Sequence, residues 1–216
     1  MYYEYRSIAD LNNAIIKNLA VFPHNVDLIV GIPRSGMLPA NLLALYLNKP
    51  YTDIDSFAEG RVYGCGERGK NLPLLHINHV LVVDDSICSG NALKKTKLKL
   101  QNLTSNYDIK FAAIYATSST AELVDFHCEI IDYPRIFQWN LFHHNYFIPH
   151  SCFDIDGVLC LNPPIDDDGP LYTNYIKNAT PYFIPTVRID TLVTCRLEKY
   201  RHETEAWLEK YGIKYN

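Results

Sequence analysis

Two adjacent carboxylates, Asp84 and Asp85, follow four apolar residues in "HVLVVDDSICSGNALKK" (79–95). They precede a run of small or polar residues, Ser86 to Asn91, that leads into a helical pattern. Acids at the end of a buried strand can accept hydrogen bonds from hydroxyls or hold a hard cation through oxygen. A loop of small residues ahead of a helix leaves its backbone N–H groups, and the positive end of that helix, open to a phosphate. Carboxylates set directly against a phosphate would repel it. A phosphorylated sugar removes the conflict, because its hydroxyls meet the acids and its phosphate meets the loop. The plainer alternative is an acid pair that only caps a helix N-terminus.

The neighbouring segments are those required to carry such a site. "NVDLIVGI" (25–32) is a short apolar run closed by Gly and Pro, and "GMLPANLLALYLN" (36–48) follows with apolar residues at helical spacing. "YTDIDSF" reads as a short strand, "AEGRVYGCGERGKNLP" as a Gly-rich polar loop and "HVLVVDD" as a fully buried strand. A helix ("NALKKTKLKLQNL"), a strand ("IKFAAIYAT"), a helix near "STAELVDF" and a strand ("CEIIDY") come next. Strands alternating with helices predict an α/β fold, a doubly wound parallel sheet covered on both faces. In such sheets ligands bind beyond the carboxyl ends of the strands, where strand order reverses. The aromatic, Pro-bounded stretch "YPRIFQWNLFHHNYFIPH" (133–150) breaks the pattern, which predicts a first domain over 1–148 and a second, partial α/β segment over 149–216.

"VLVVDDSICSG" resembles the phosphoribosyl pyrophosphate (PRPP) motif of type I phosphoribosyltransferases. The resemblance implies that Asp84 and Asp85 bind the ribose hydroxyls, directly or through Mg2+, while Ser86, Ile87, Cys88, Ser89, Gly90 and Asn91 wrap the 5-phosphate. Upstream, "GIPRSGMLPANLLALYLNKP" resembles the family's pyrophosphate loop, with Arg34, Ser35 and Gly36 as its binding residues. "AEGRVYGCGERGKN" occupies the slot of the family's mobile loop, where Arg61, Arg68 and Lys70 would supply positive charge to the leaving group; the bland reading is a solvated loop. The implied reaction is transfer of ribose 5-phosphate from PRPP to a small ring acceptor, with Mg2+ and largely electrostatic catalysis. Purine-salvage members carry a third Asp where Cys88 stands, so the resemblance points toward an orotate-type or unusual acceptor. Phe137 or Trp139 could stack on its ring. The rival reading is a PRPP or nucleotide sensor that binds without transfer.

"CFDIDGVLC" resembles motif I of the haloacid dehalogenase-like phosphatases, and "IDTLVT" resembles their motif II. That resemblance implies Asp154 as nucleophile and Mg2+ ligand, Asp156 as general acid/base and a further metal-site residue, and Thr194 as a phosphate contact. The downstream Lys and acidic pair of that family are not found before Asn216, so the expectation is either a truncated two-domain protein or a tail without phosphatase activity.

Bulk properties narrow the function classes. A formal charge of −4, from 20 basic and 24 acidic residues, gives no electrostatic case for a nucleic-acid partner. No apolar run reaches the roughly 18–20 residues that span a bilayer, so no membrane partner is expected. The N-terminus lacks a secretory pattern and the six cysteines form no C-x-x-C pair, which together read as a cytosolic protein with reduced thiols. A homodimer is compatible with all of this.

Overall fold

The computed structural model describes residues 3–63, 77–164 and 168–216. The chain divides into two compact units, Met1–Ile136 and Phe137–Asn216. The division falls earlier than the boundary expected near residue 148, because Phe142 and Ile148 are buried in the core of the second unit together with Phe153 and Trp207.

In the first unit, β1 (Glu4–Arg6) leads into α1 (Ile8–Lys17), which opens with a capping box between Ser7 and Asp10. β2 (Leu28–Gly31), α2 (Met37–Leu47), β3 (Tyr51–Asp53) and α3 (Ile54–Ala58) follow, then β4 (His79–Ser86), α4 (Asn91–Leu100), β5 (Asp108–Ala116) and β6 (Phe126–Ile130). Among the described residues the central sheet has the order β3-β2-β4-β5-β6, with every pairing parallel. β7 (Arg135–Phe137) pairs with β1 apart from that sheet.

Burial on both faces explains why β2 and β4 read as unbroken apolar runs. Leu28, Val30, Val80 and Val82 turn to one face and pack with Ile54, Phe57, Leu93 and Leu100 from α3 and α4. The alternate residues Ile29, Leu81 and Val83 are as deeply buried on the other face. The helix expected near 119–126 is only a 3-10 turn, Ala121–Leu123. Thr117 and Thr120 explain this, since the Thr120 hydroxyl accepts the Thr117 N–H at 3.0 Å and offers the backbone a local turn instead of a helix.

Strand order determines where a site can form. From β2 the chain moves outward to β3, then crosses back to β4 on the other side of β2. The reversal therefore lies between β2 and β4, and the segments leaving their carboxyl ends, 32–36 and 84–91, border the crevice where doubly wound sheets bind ligands.

The second unit contains α5 (Gln138–Leu141), β8 (Cys152–Asp154), α6 (Pro170–Asn178), β9 (Thr191–Val193) and α7 (Arg201–Lys210). β8 and β9 pair in parallel, with Asp154 in register with Val193. A polar cluster lies beside the core of this unit. Arg196, 2% exposed at its side chain, reaches Asp156 through Nη2 at 2.6 Å and Nε at 2.9 Å, and the Tyr175 hydroxyl donates to the same carboxylate at 2.7 Å. Removing the guanidinium would strand a largely buried carboxylate. Arg196→Met should therefore destabilise this unit by about 3–5 kcal/mol, and pairing it with Asp156→Asn should restore part of the loss. Both tryptophans, Trp139 and Trp207, belong to this unit, so denaturant titration followed by tryptophan fluorescence reads the effect directly. An unchanged midpoint would show the ion pair to be dispensable.

Candidate active site

The acidic pair sits at the last hydrogen-bonded positions of β4. Asp84 pairs with Ala113 and Ser86 with Tyr115, so the neighbouring strand holds the backbone on either side of Asp85. Asp85 is buried at 4% exposure and Asp84 is half-buried. The Asp85 N–H donates to Asp84 Oδ1 at 2.9 Å. Burial, the charge of Asp85 and a hydrogen bond between the two carboxyls push the Asp84 acid up to about 8. Two carboxyls this close cannot both ionise cheaply, so at neutral pH they share one proton.

The turn after β2 lies directly against this pair. The Ile32 N–H donates to the Val83 carbonyl at 2.9 Å, which extends the β2–β4 pairing into the turn. Gly36 closes the turn and opens α2, and its lack of a side chain is required by close approach. A Cβ there would lie 2.5 Å from the Ile32 carbonyl oxygen, 2.8 Å from that of Val83 and 2.9 Å from Asp84 Oδ1. Arg34 is exposed in this turn and Ser35 is half-exposed; their carbonyls accept from Met37 and Leu38 as the helix starts. The Pro33–Arg34 peptide is cis. Thus the turn carrying Arg34, Ser35 and Gly36 adjoins the end of β4 that carries Asp84 and Asp85, far from it in sequence.

The expected phosphate loop is also placed at the sheet's carboxyl edge. Ser86 ends β4, Ile87 is buried, Cys88 and Ser89 are exposed, and Gly90 adopts φ +72° immediately before α4. The left-handed backbone at Gly90 favours glycine, and a Cβ there would also meet Leu123 Cδ1 at 2.8 Å. Asn91, the first residue of α4, donates its N–H to Ser89 Oγ at 3.4 Å. The Tyr133 hydroxyl is hydrogen-bonded to Cys88 Sγ, so the position without the third acid is occupied by a thiol–phenol pair.

Arg61 is exposed and its guanidinium pairs with Glu59 at 2.6 Å. Arg68 and Lys70 lie outside the described residues. Phe137 and Trp139 belong to the second unit and stack on each other, with centroids 4.9 Å apart and planes 13° off parallel.

In the second unit, Asp154 lies at the end of β8 and accepts from the Ile155 N–H at 2.7 Å. Thr194 directly follows β9 and accepts from the Arg196 N–H at 3.1 Å. Asp156 departs from its expected role as general acid. Burial alone would raise its pKa, but the bonds from Arg196 and Tyr175 outweigh it and hold the group below the ordinary carboxylate range. It carries no proton to give, and its oxygens are already taken by Arg196 and Tyr175. No cluster of three or more His, Cys, Asp or Glu suited to a metal occurs among the described residues.

The raised acid of Asp84 has a consequence for stability. Its ordinary value is 3.8. Between about pH 4 and pH 8 the folded protein keeps a proton that the unfolded chain gives up, so this group makes stability fall as pH rises through that window. Asp84→Asn should abolish the fall. The variant should match wild type near pH 4 and exceed it by roughly 1–3 kcal/mol at pH 8 without ligand, measured by denaturant titration followed by far-UV circular dichroism. A variant less stable than wild type at pH 8 would contradict the shared proton.

The family model "Phosphoribosyl transferase domain" matches residues 2–147. A search of curated proteins gave no match. Among solved structures, the chain is similar to the Helicobacter pylori xanthine-guanine-hypoxanthine phosphoribosyltransferase, at 18% identity over 64% of this chain and 92% of that one, with a TM-score of 0.47. It is similar to the purine phosphoribosyltransferase of Pyrococcus horikoshii Ot3 at 22% identity over 64% and 94% of the two chains, with a TM-score of 0.47. For the orotate phosphoribosyltransferase of Aeropyrum pernix the figures are 20% identity, 53% and 62% coverage and a TM-score of 0.37. With the family match spanning most of its length, the chain belongs to the phosphoribosyl transferase domain family.

Proposed function

We propose that this chain is a phosphoribosyltransferase that binds PRPP in the crevice between β2 and β4 and transfers its ribose 5-phosphate to a ring nitrogen, releasing pyrophosphate. The observation that carries this reading is the contact between the two turns, in which Gly36 packs against Asp84 Oδ1 and the Val83 carbonyl. In that arrangement the sugar hydroxyls donate to Asp84 and Asp85. The amides of 88–90 and the N-terminus of α4 receive the 5-phosphate, and the turn 33–36 with Arg34 receives the pyrophosphate.

Mg2+ fits the acidic pair: the donors are all oxygens, and a divalent cation can take the place of the shared proton while substrate oxygens and water complete its shell. When bound it would neutralise charge on the pyrophosphate. The chain's own part is to align the ribose through two carboxyls and to keep the leaving group against the Arg34 side chain and the backbone of the turn 33–36. Cys88 and Tyr133 present a thiol and a phenol where purine enzymes of the family place a carboxylate, which favours an orotate-type acceptor as the first to test.

A second reading concerns 149–216. The parallel pairing of β8 with β9, which sets Asp154 beside the residue preceding Thr194, supports a dehalogenase-like arrangement. The Arg196–Asp156 pair argues against phosphatase chemistry in this conformation.

The test is incubation of the full chain with PRPP, Mg2+ and a panel of ring acceptors, following pyrophosphate release. Release with one acceptor, lost in the Asp84→Asn/Asp85→Asn double variant, is expected. Calorimetry should show PRPP affinity falling by about 100-fold or more in that variant, as two charge-assisted bonding groups are lost. PRPP binding without release for any acceptor would favour a sensor, and unchanged affinity in the double variant would overturn the site.

A further inference from the structure

Ile87 begins the loop after the acidic pair, and its peptide groups are held from three directions. Its N–H donates to the Tyr115 carbonyl at 2.8 Å. Its carbonyl accepts from Arg135 Nη2 at 2.7 Å and from Thr120 Oγ1 at 3.4 Å. Arg135 Nη1 also donates to the Ile131 carbonyl at 3.0 Å. One guanidinium thus joins the loop to the segment after β6. Its donors lie in a fixed plane and its charge is permanent, so it acts as a rigid bracket.

The bracket determines where the next amide points. In a trans peptide the C=O and N–H lie in opposite directions. The Ile87–Cys88 bond is trans, since the cis bonds among the described residues are Pro33–Arg34 and Tyr133–Pro134. With the Ile87 carbonyl drawn toward Arg135 and Thr120, the Cys88 N–H is turned the other way, away from the bracket. A charged donor on the carbonyl also withdraws electron density from the peptide, which makes that N–H a stronger donor. The Cys88 side chain is held from the same quarter: its thiol is bonded to the Tyr133 hydroxyl, and the Tyr133 ring lies 5.2 Å from the Arg135 guanidinium carbon.

We propose that Arg135 is a positioning residue for the phosphate end of the site, orienting and polarising the Cys88 amide through the Ile87 carbonyl without touching the ligand. This role rests on the reading of 86–91 as the 5-phosphate loop. It distinguishes the two ends of PRPP, because Arg135 bonds the Ile87 carbonyl of the phosphate loop, whereas the turn at 33–36 is built on α2.

The test compares three ligands on the full chain by calorimetry with Mg2+: ribose 5-phosphate, PRPP and inorganic pyrophosphate. Arg135→Met should weaken ribose 5-phosphate and PRPP alike, by about 10-fold or more, the size of one lost charge-assisted contact. Pyrophosphate affinity should stay within about 2-fold of wild type. Arg135→Lys, which keeps the charge and loses the fork, should fall between, and Thr120→Val should give a smaller loss with the same ligand pattern. These two milder variants carry the comparison if Arg135→Met melts early. Equal weakening of all three ligands, or of none, would overturn the positioning role alone. A wild-type protein that binds none of the three would overturn the proposed function and this role with it.

Discussion

Like charge at close range is the constraint around which the first unit is built. Asp84 and Asp85 are adjacent in sequence, hydrogen-bonded to each other and largely withdrawn from water, so the free protein keeps a proton between them near neutral pH. Left alone, such a pair costs stability. Its presence at the end of the central strand is understandable when the natural occupant of the crevice brings hydroxyls or a cation to replace that proton. The apolar run Val80–Val83 offsets the cost by anchoring the pair on a strand buried on both faces.

The sheet then brings the remaining parts to that pair. Parallel pairing of β2 with β4, Ile29 against Leu81 and Gly31 against Val83, fixes the register that places Gly36 beside Asp84. On the other flank, pairing of β4 with β5 sets Tyr115 to receive the Ile87 N–H, and Arg135 and Thr120 take its carbonyl. Two turns, 33–36 and 86–91, are thereby held on neighbouring strands. Most of this precision comes from backbone hydrogen bonds, which is why short, plain residues suffice in both turns.

Much of this was legible in the residues. Continuous apolar strands separated by helical patterns identified the parallel sheet, and the acids followed by small residues marked the candidate site. The contact between the turns was only implied, since it depends on strand order, which periodicity does not encode. Arg135 was invisible for the same reason: its partner carbonyl at Ile87 is 48 residues away, and no local pattern marks an arginine that bonds to backbone. The helix expected near 119–126 failed because threonine hydroxyls competed for the backbone. Asp156 shows the limit of motif reading: its spacing from Asp154 fits a catalytic pair, while Arg196, 40 residues on, engages it in an ion pair.

In the proposed site, occupancy of the crevice and loss of the shared proton are one event. Calorimetry of PRPP binding near pH 7, repeated in buffers of different ionisation enthalpy, counts the protons released. With Mg2+ present, about one proton should leave per ligand bound, and Asp84→Asn should reduce that release to near zero. Binding of PRPP and Mg2+ to the wild-type chain with no proton released would contradict the claim that the ligand's cation and hydroxyls take over the place between the two acids.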